Sequence, residues 1–153
     1  MLGLKNGVLW LPSVKQCKRL VEASLDVSAA IPAVGNNLVR QQWHQLIQDI
    51  GIPVANVIHP SAIISPSAKI GRGVTIMAGC IIGVETYIDD GVIVNMGTAI
   101  DHDVKIGQFA HLSVGVKVGG EKNRFLFLYT CWRYHSLLNV LIDISVDEQK
   151  CKP

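Results

Sequence analysis

Residues 57–122 read VIHPSA IISPSA KIGRGV TIMAGC IIGVET YIDDGV IVNMGT AIDHDV KIGQFA HLSVGV KVGGEK, eleven hexapeptides in unbroken succession. The second slot holds Ile58, Ile64, Ile70, Ile76, Ile82, Ile88, Val94, Ile100, Ile106, Leu112 and Val118, all branched aliphatics. With about a quarter of positions being Ile, Leu or Val, chance would produce this on the order of once in a million trials or less. The sixth slot is restricted to small or β-branched residues, among them Ala62, Val74, Cys80, Thr86 and Val104. A helix would scatter these positions around its circumference. A simple strand would put them on one face but give no reason to repeat at six. A coil of three short strands explains the period. Each hexapeptide forms one side of a triangular prism, its aliphatic points to the axis, and a turn leads to the next side. Glycines such as Gly71, Gly73, Gly83, Gly91, Gly107 and Gly115 suit turns that need positive φ or close approach. Stacked coils pair at ~4.8 Å, and such a stack needs caps or partners at its ends.

The rest of the chain bounds the function. A length of 153 residues is one domain of ordinary size, or one domain plus a fragment. The net charge of +2, without a basic run or an Arg/Lys-aromatic pattern, argues against a nucleic-acid partner. Cys17, Cys80, Cys131 and Cys151 follow no metal-like spacing and read as reduced thiols. The N-terminal apolar run is broken too early for a signal peptide, and no stretch reaches the ~20 apolar residues of a membrane span. A cytoplasmic protein without membrane association is expected.

Upstream of the repeat, SAAIPAVGNN (28–37) reads as a short buried strand ending in a Gly-Asn-Asn turn. NNLVRQQWHQLIQDIG then reads as an amphipathic helix with an Asn N-cap, closed by Gly51. Its apolar residues Leu38, Val39, Trp43, Leu46, Ile47 and Ile50 recur at helical spacing.

The chain from IPAVGNN through IDHDVKIGQFAHLSVGVKVGG resembles the left-handed β-helix (hexapeptide-repeat) acyltransferases. Within them it is most similar to the bacterial sugar acetyltransferases of the sialic-acid and diacetamido-sugar type. The resemblance implies a mainly β fold: a left-handed parallel β-helix over 53–120, preceded by a partial α/β (βαβ-like) nucleotide-sugar-binding domain over 1–52. It also implies acetyl-CoA as co-substrate and a nucleotide-sugar or sialic-acid-type sugar as acceptor. The prisms would form a homotrimer whose contacts cover flat faces carrying Met77, Met96 and Phe109.

The same resemblance implies roles for individual residues. His102 occupies neither inward slot, so it should stand outside as a solvated turn histidine or, by the resemblance, as the catalytic base. Asp103 matches the acidic residue that fixes the imidazole's tautomer, and Asp101 is the lesser candidate. His111 matches a histidine touching acetyl-CoA or sugar, or else it fills a groove between coils. Gly120 matches a glycine whose N–H lies near the thioester carbonyl. Gly35 matches the nucleotide-contacting turn, though a plain turn has the same sequence. Asn95 contacts substrate or belongs to a polar ladder between coils. His44 and His59 read as packing or solvation.

Both ends depart from the family pattern. The resemblance implies that a first strand, a Gly-rich turn carrying a histidine and an acidic pair would precede residue 1. After Gly120 the aliphatic slots fall on Arg124, Thr130 and Ser136, so the repeat is lost. Residues 121–153 are then either a cap on the prism or an out-of-frame product, the second being favoured. Two other functions stay open. One is a non-catalytic remnant. The other is a zinc hydrolyase of this architecture, which needs three convergent ligands, whereas His59 lies more than two coils before His102 and His111.

Overall fold

A computed structural model of the chain describes residues 4–5, 8–9, 28–120 and 125–126. Strands β1 (Leu4–Lys5) and β2 (Val8–Leu9) pair antiparallel. Helix α1 covers Asn37–Asp49. Twelve two-residue strands then follow the period: β3 (Val57–Ile58), β4 (Ile63–Ile64), β5 (Lys69–Ile70), β6 (Thr75–Ile76), β7 (Ile81–Ile82), β8 (Tyr87–Ile88), β9 (Ile93–Val94), β10 (Ala99–Ile100), β11 (Lys105–Ile106), β12 (His111–Leu112), β13 (Lys117–Val118) and β14 (Phe125–Leu126).

The strands sort into three parallel four-stranded sheets, β3-β6-β9-β12, β4-β7-β10-β13 and β5-β8-β11-β14. Paired residues such as Ile64 and Ile82 are three hexapeptides apart. The expected solenoid of about three turns is therefore present. Its second-slot aliphatics from Ile76 to Leu112 and sixth-slot residues from Val74 to Ala110 form one buried cluster along the axis. At the open first coil Ile58 is 43% exposed, whereas Ile100 in the interior is 1% exposed. The hexapeptide register ends after Gly120 as the sequence indicates. The ladder nevertheless gains β14, which pairs with β11 two residues later than the period would place it. The remainder of the 121–153 tail lies outside the described residues.

The fifth slot decides the corners. Gly73, Gly79, Gly91, Gly97 and Gly115 have φ between 65° and 71°, and Glu85, Asp103 and Phe109 adopt φ of 51°, 57° and 55° there. This conformation turns the fifth-slot N–H toward the coil below, where Gly91 N–H meets Arg72 O at 2.8 Å and Asp103 N–H meets Val84 O at 3.0 Å. The first coil has serines instead, and the Ser61 and Ser67 hydroxyls accept from Gly79 and Glu85 N–H at 3.1 and 3.0 Å.

Helix α1 is capped as expected. The Asn36 side chain accepts from Val39 N–H at 3.1 Å. Beyond Ile50, Gly51 (φ 77°) lets Ile52 N–H reach Ile47 O at 3.1 Å, a Schellman closure. The face turned to the prism mixes polar and apolar residues, with Trp43, Leu46 and Ile50 half-buried beside it. Arg40, His44 and Ile47 are buried, while Leu38 and Val39 are exposed. The expected buried strand over 28–37 is reduced to one parallel bridge, Ala30 to Val54, spanning the helix like a minimal βαβ unit; Ala33 and Gly35 are exposed. Phe109 does not sit on an open flat face either. It is half-buried, edge-on to His44 with ring centroids 5.3 Å apart.

Candidate active site

One corner of the prism, between β10 and β11, carries His102. Its side chain is 54% exposed, and Nδ1 lies 2.9 Å from Asp103 Oδ2. The ladder bond to Val84 fixes the left-handed turn at Asp103, and aspartate tolerates that conformation better than most residues. The same turn sets the carboxylate beside the imidazole. With Nδ1–H donating to Asp103, Nε2 keeps its lone pair outward. Asp101 works on the other side: Oδ1 accepts from His102 N–H at 2.8 Å and Oδ2 from Gly120 N–H at 3.3 Å. The Asp103 hydrogen bond first, then the Asp101 charge, hold the His102 pKa above its ordinary value. The backbone donors of His102 and Gly120 hold Asp101 below its own.

Gly120 stands one coil above His102. A Cβ on Gly120 would lie 2.7 Å from His102 O and 3.0 Å from His102 Nε2. A side chain there would fill the space in front of the free ring nitrogen. In this structure the Gly120 N–H is directed to Asp101.

A second cluster forms at the corner where α1 packs. The Arg40 guanidinium is 1% exposed. Nε donates to Gly91 O at 2.7 Å, Nη1 to Val34 O at 3.0 Å and Gly35 O at 3.1 Å, and Nη2 to Asn37 Oδ1 at 2.9 Å and Phe109 O at 2.5 Å. Burial pulls its pKa down to about 10. His111, half-buried at the start of β12, belongs to the same cluster. Desolvation lowers its pKa, a hydrogen bond with the Gly35 backbone opposes this, and the Arg40 charge adds to the lowering. The fold thus joins Gly35 to His111, two positions far apart in sequence. It puts His102 and Asp103 at a different corner.

Asn95 lies at the third corner, where its Oδ1 accepts from Met96 N–H at 2.9 Å. Asp89 and Asp101, in the same hexapeptide slot, make the equivalent turn bond. Its geometry is therefore that of the polar turn ladder. His59 Nδ1 faces Ser61 at the first coil. Among the described residues no group of three or more His, Cys, Asp or Glu side chains is placed to hold a metal ion, and none of the helices is long and apolar enough to cross a membrane. Arg40 is the residue that sequence reasoning missed. Arginine is ordinarily exposed, and no spacing marks this one as buried.

No family model matches the chain. Solved structures do. A histidine-to-alanine variant of GDP-perosamine N-acetyltransferase from Caulobacter crescentus, in complex with CoA and GDP-perosamine, is 36% identical with a TM-score of 0.64, over 68% of this chain and 49% of that one. The acetyltransferase domain of PglB from Neisseria gonorrhoeae, in complex with acetyl coenzyme A, is 32% identical with a TM-score of 0.67, over 78% of this chain and 57% of that one. Over two thirds of its own length the chain is similar to hexapeptide-repeat β-helix acetyltransferases and shares their parallel solenoid. A curated relative, the GDP-perosamine N-acetyltransferase of Escherichia coli O157:H7, is 26% identical over 88 residues, 58% of this chain and 40% of the relative. The chain spans about half the length of the relatives it matches.

Proposed function

We propose that this chain carries the acyl-transfer centre of an acetyl-CoA-dependent acetyltransferase acting on an amino group of a nucleotide-linked sugar. The observation that carries the reading is the His102–Asp103 pair, 2.9 Å apart, whose free Nε2 faces the space kept open by Gly120. Nε2 takes a proton from the acceptor amine as the amine nitrogen attacks the thioester carbonyl. The tetrahedral oxyanion then collapses, the C–S bond breaks and CoA leaves as its thiolate. Asp103 holds the tautomer and stabilises the imidazolium. Direct transfer requires no covalent intermediate, and residues 97–120 contain no cysteine. Structures of similar proteins with CoA, acetyl-CoA and GDP-perosamine support this substrate pair.

Residues 1–52 are proposed as part of a nucleotide-sugar-binding domain and 53–120 as the transferase prism. Gly35 and His111 contact the nucleotide-sugar, and Gly120 borders the CoA thioester. Because the two clusters occupy different corners, a second copy is needed to bring one to the other. Exposed apolar residues Ile63, Ile81, Met77, Met96 and Val114 support such contacts, since strips of this kind on a soluble chain mark interaction surfaces. A homotrimer predicts a solution mass of three times 16.6 kDa by light scattering.

The test is thiol release from acetyl-CoA in the presence of GDP-perosamine, the sugar nucleotide bound in the similar structures. His102→Ala should lower kcat by about 10²–10⁴, the usual contribution of a positioned base. Full activity in that variant would remove the reading.

A further inference from the structure

Arg40 is a buried cation whose five N–H donors are all spent on neutral oxygens of three segments: the 34–37 turn, Gly91 in one coil, and Phe109 in the next. The His102–Asp103 ion pair lies at a different corner. Burying a charge costs several kcal/mol unless its geometry is well satisfied, and apolar residues of similar volume often do the packing as well or better. A helix that needed only an anchor could have turned its exposed Leu38 and Val39 inward. What the guanidinium does, and an apolar side chain cannot, is hold specific carbonyls at fixed positions.

The carbonyls it holds include those of Val34 and Gly35, 3.0 and 3.1 Å from Nη1. Gly35 is also hydrogen-bonded to His111, one residue beyond the Ala110 carbonyl that Nη2 approaches at 3.4 Å. We infer that Arg40 is a positioning residue that locks the Gly35 turn and His111 into one unit at the prism corner, and so sets the affinity for the nucleotide part of the substrate. This rests on the nucleotide-sugar reading above. Arg40 itself is closed off from ligand, so it acts through Gly35 and His111. A Cβ built on Gly35 meets nothing within 4 Å, so the turn is open on its outer side for a ligand to approach.

The experiment compares the full chain with Arg40→Met, which removes every donor, and Arg40→Lys, which keeps the charge on one nitrogen with three donors. GDP and CoA affinities are measured by calorimetry, with far-UV circular dichroism for folding. Expected is a loss of GDP affinity of about tenfold or more in Arg40→Met, a smaller loss in Arg40→Lys, and CoA affinity within twofold of the parent in both. A plain loss of folded protein would lower both affinities together. If Arg40→Met does not fold, the decision passes to Arg40→Lys and to the parent chain. There, GDP must shift the Arg40 Nε–H and His111 ring resonances, and CoA must leave them unmoved. Unchanged GDP affinity in the folded variants, or unmoved resonances, overturns the positioning role. If His111→Ala still weakens GDP binding in that case, the function stands without it. If the parent binds neither GDP nor CoA, the function itself has failed and the inference falls with it.

Discussion

Asp103 is asked to do two things at once, and substitution separates them. Its φ of 57° is imposed by the N–H bond to Val84, in a slot that glycine fills in five of the other hexapeptides. The left-handed region costs an ordinary L-residue ~1–2 kcal/mol, and aspartate less. Asp103→Gly relieves that strain but adds ~0.4–1 kcal/mol of chain entropy to the unfolded state. The two effects nearly cancel. Stability should therefore change by less than ~1 kcal/mol, a shift in Tm of no more than ~4 °C for a chain of this size. Activity should not be spared. The variant loses the partner of His102 Nδ1, so kcat/KM should fall at least ~10-fold, with the ~10²–10⁴ of complete base loss as the ceiling.

Asp103→Asn keeps the turn and removes only the charge, which makes the pH dependence decisive. In the parent, the Asp103 hydrogen bond and then the Asp101 charge raise the His102 pKa. The base must be neutral to accept a proton, so the rate climbs with pH through a midpoint above the ordinary histidine value. In Asp103→Asn the midpoint drops, and the variant's deficit is largest at alkaline pH and narrows in acid. Stability runs the opposite way to rate: the contribution from protonated His102 is present below the unfolded-state pKa and fades as pH rises through the raised one. Imidazole NMR titration of His102 reads the midpoint without turnover, and thiol release reads the rate. A deficit of constant size at every pH, with an unmoved midpoint, would refute the pairing argument.

Three further outcomes follow from the same geometry. Ile100→Ala should destabilise by ~2–5 kcal/mol, whereas Ile58→Ala in the same slot, already 43% exposed, should cost less than half as much; chemical denaturation compares them. Gly91→Ala drives a methyl into the Phe109 ring, while Gly97→Ala, at a similar φ, meets nothing within 4 Å; the first should be the less stable by at least ~1 kcal/mol in thermal melts. Gly120→Ala puts a methyl 2.7 Å from the backbone O of His102 and 3.0 Å from its Nε2, so it should cut acetyl transfer more than ~10-fold and also lower Tm, read in parallel thermal melts.

The prism was legible because its signal is redundant. Every coil repeats the same demand for an aliphatic in slot two and a small residue in slot six, so the eleven slots testify together. The outward position of His102 followed from the same count. The turn conformation of Asp103 did not, because slot five accepts Gly, Asp, Glu and Phe alike once the ladder bond is made. The burial of Arg40 on helix α1 was not legible for a related reason. Periodicity assumes that a helix buries its apolar stripe, which holds when the surface beneath is apolar. The corner under α1 offers the carbonyls of Gly91, Phe109 and Ala110 instead. A guanidinium satisfies those oxygens and a leucine would leave them without a donor, so the helix turns Arg40 inward and leaves Leu38 in solvent. Which face a helix buries is thus decided by its partner surface, and a one-dimensional pattern carries no record of that surface.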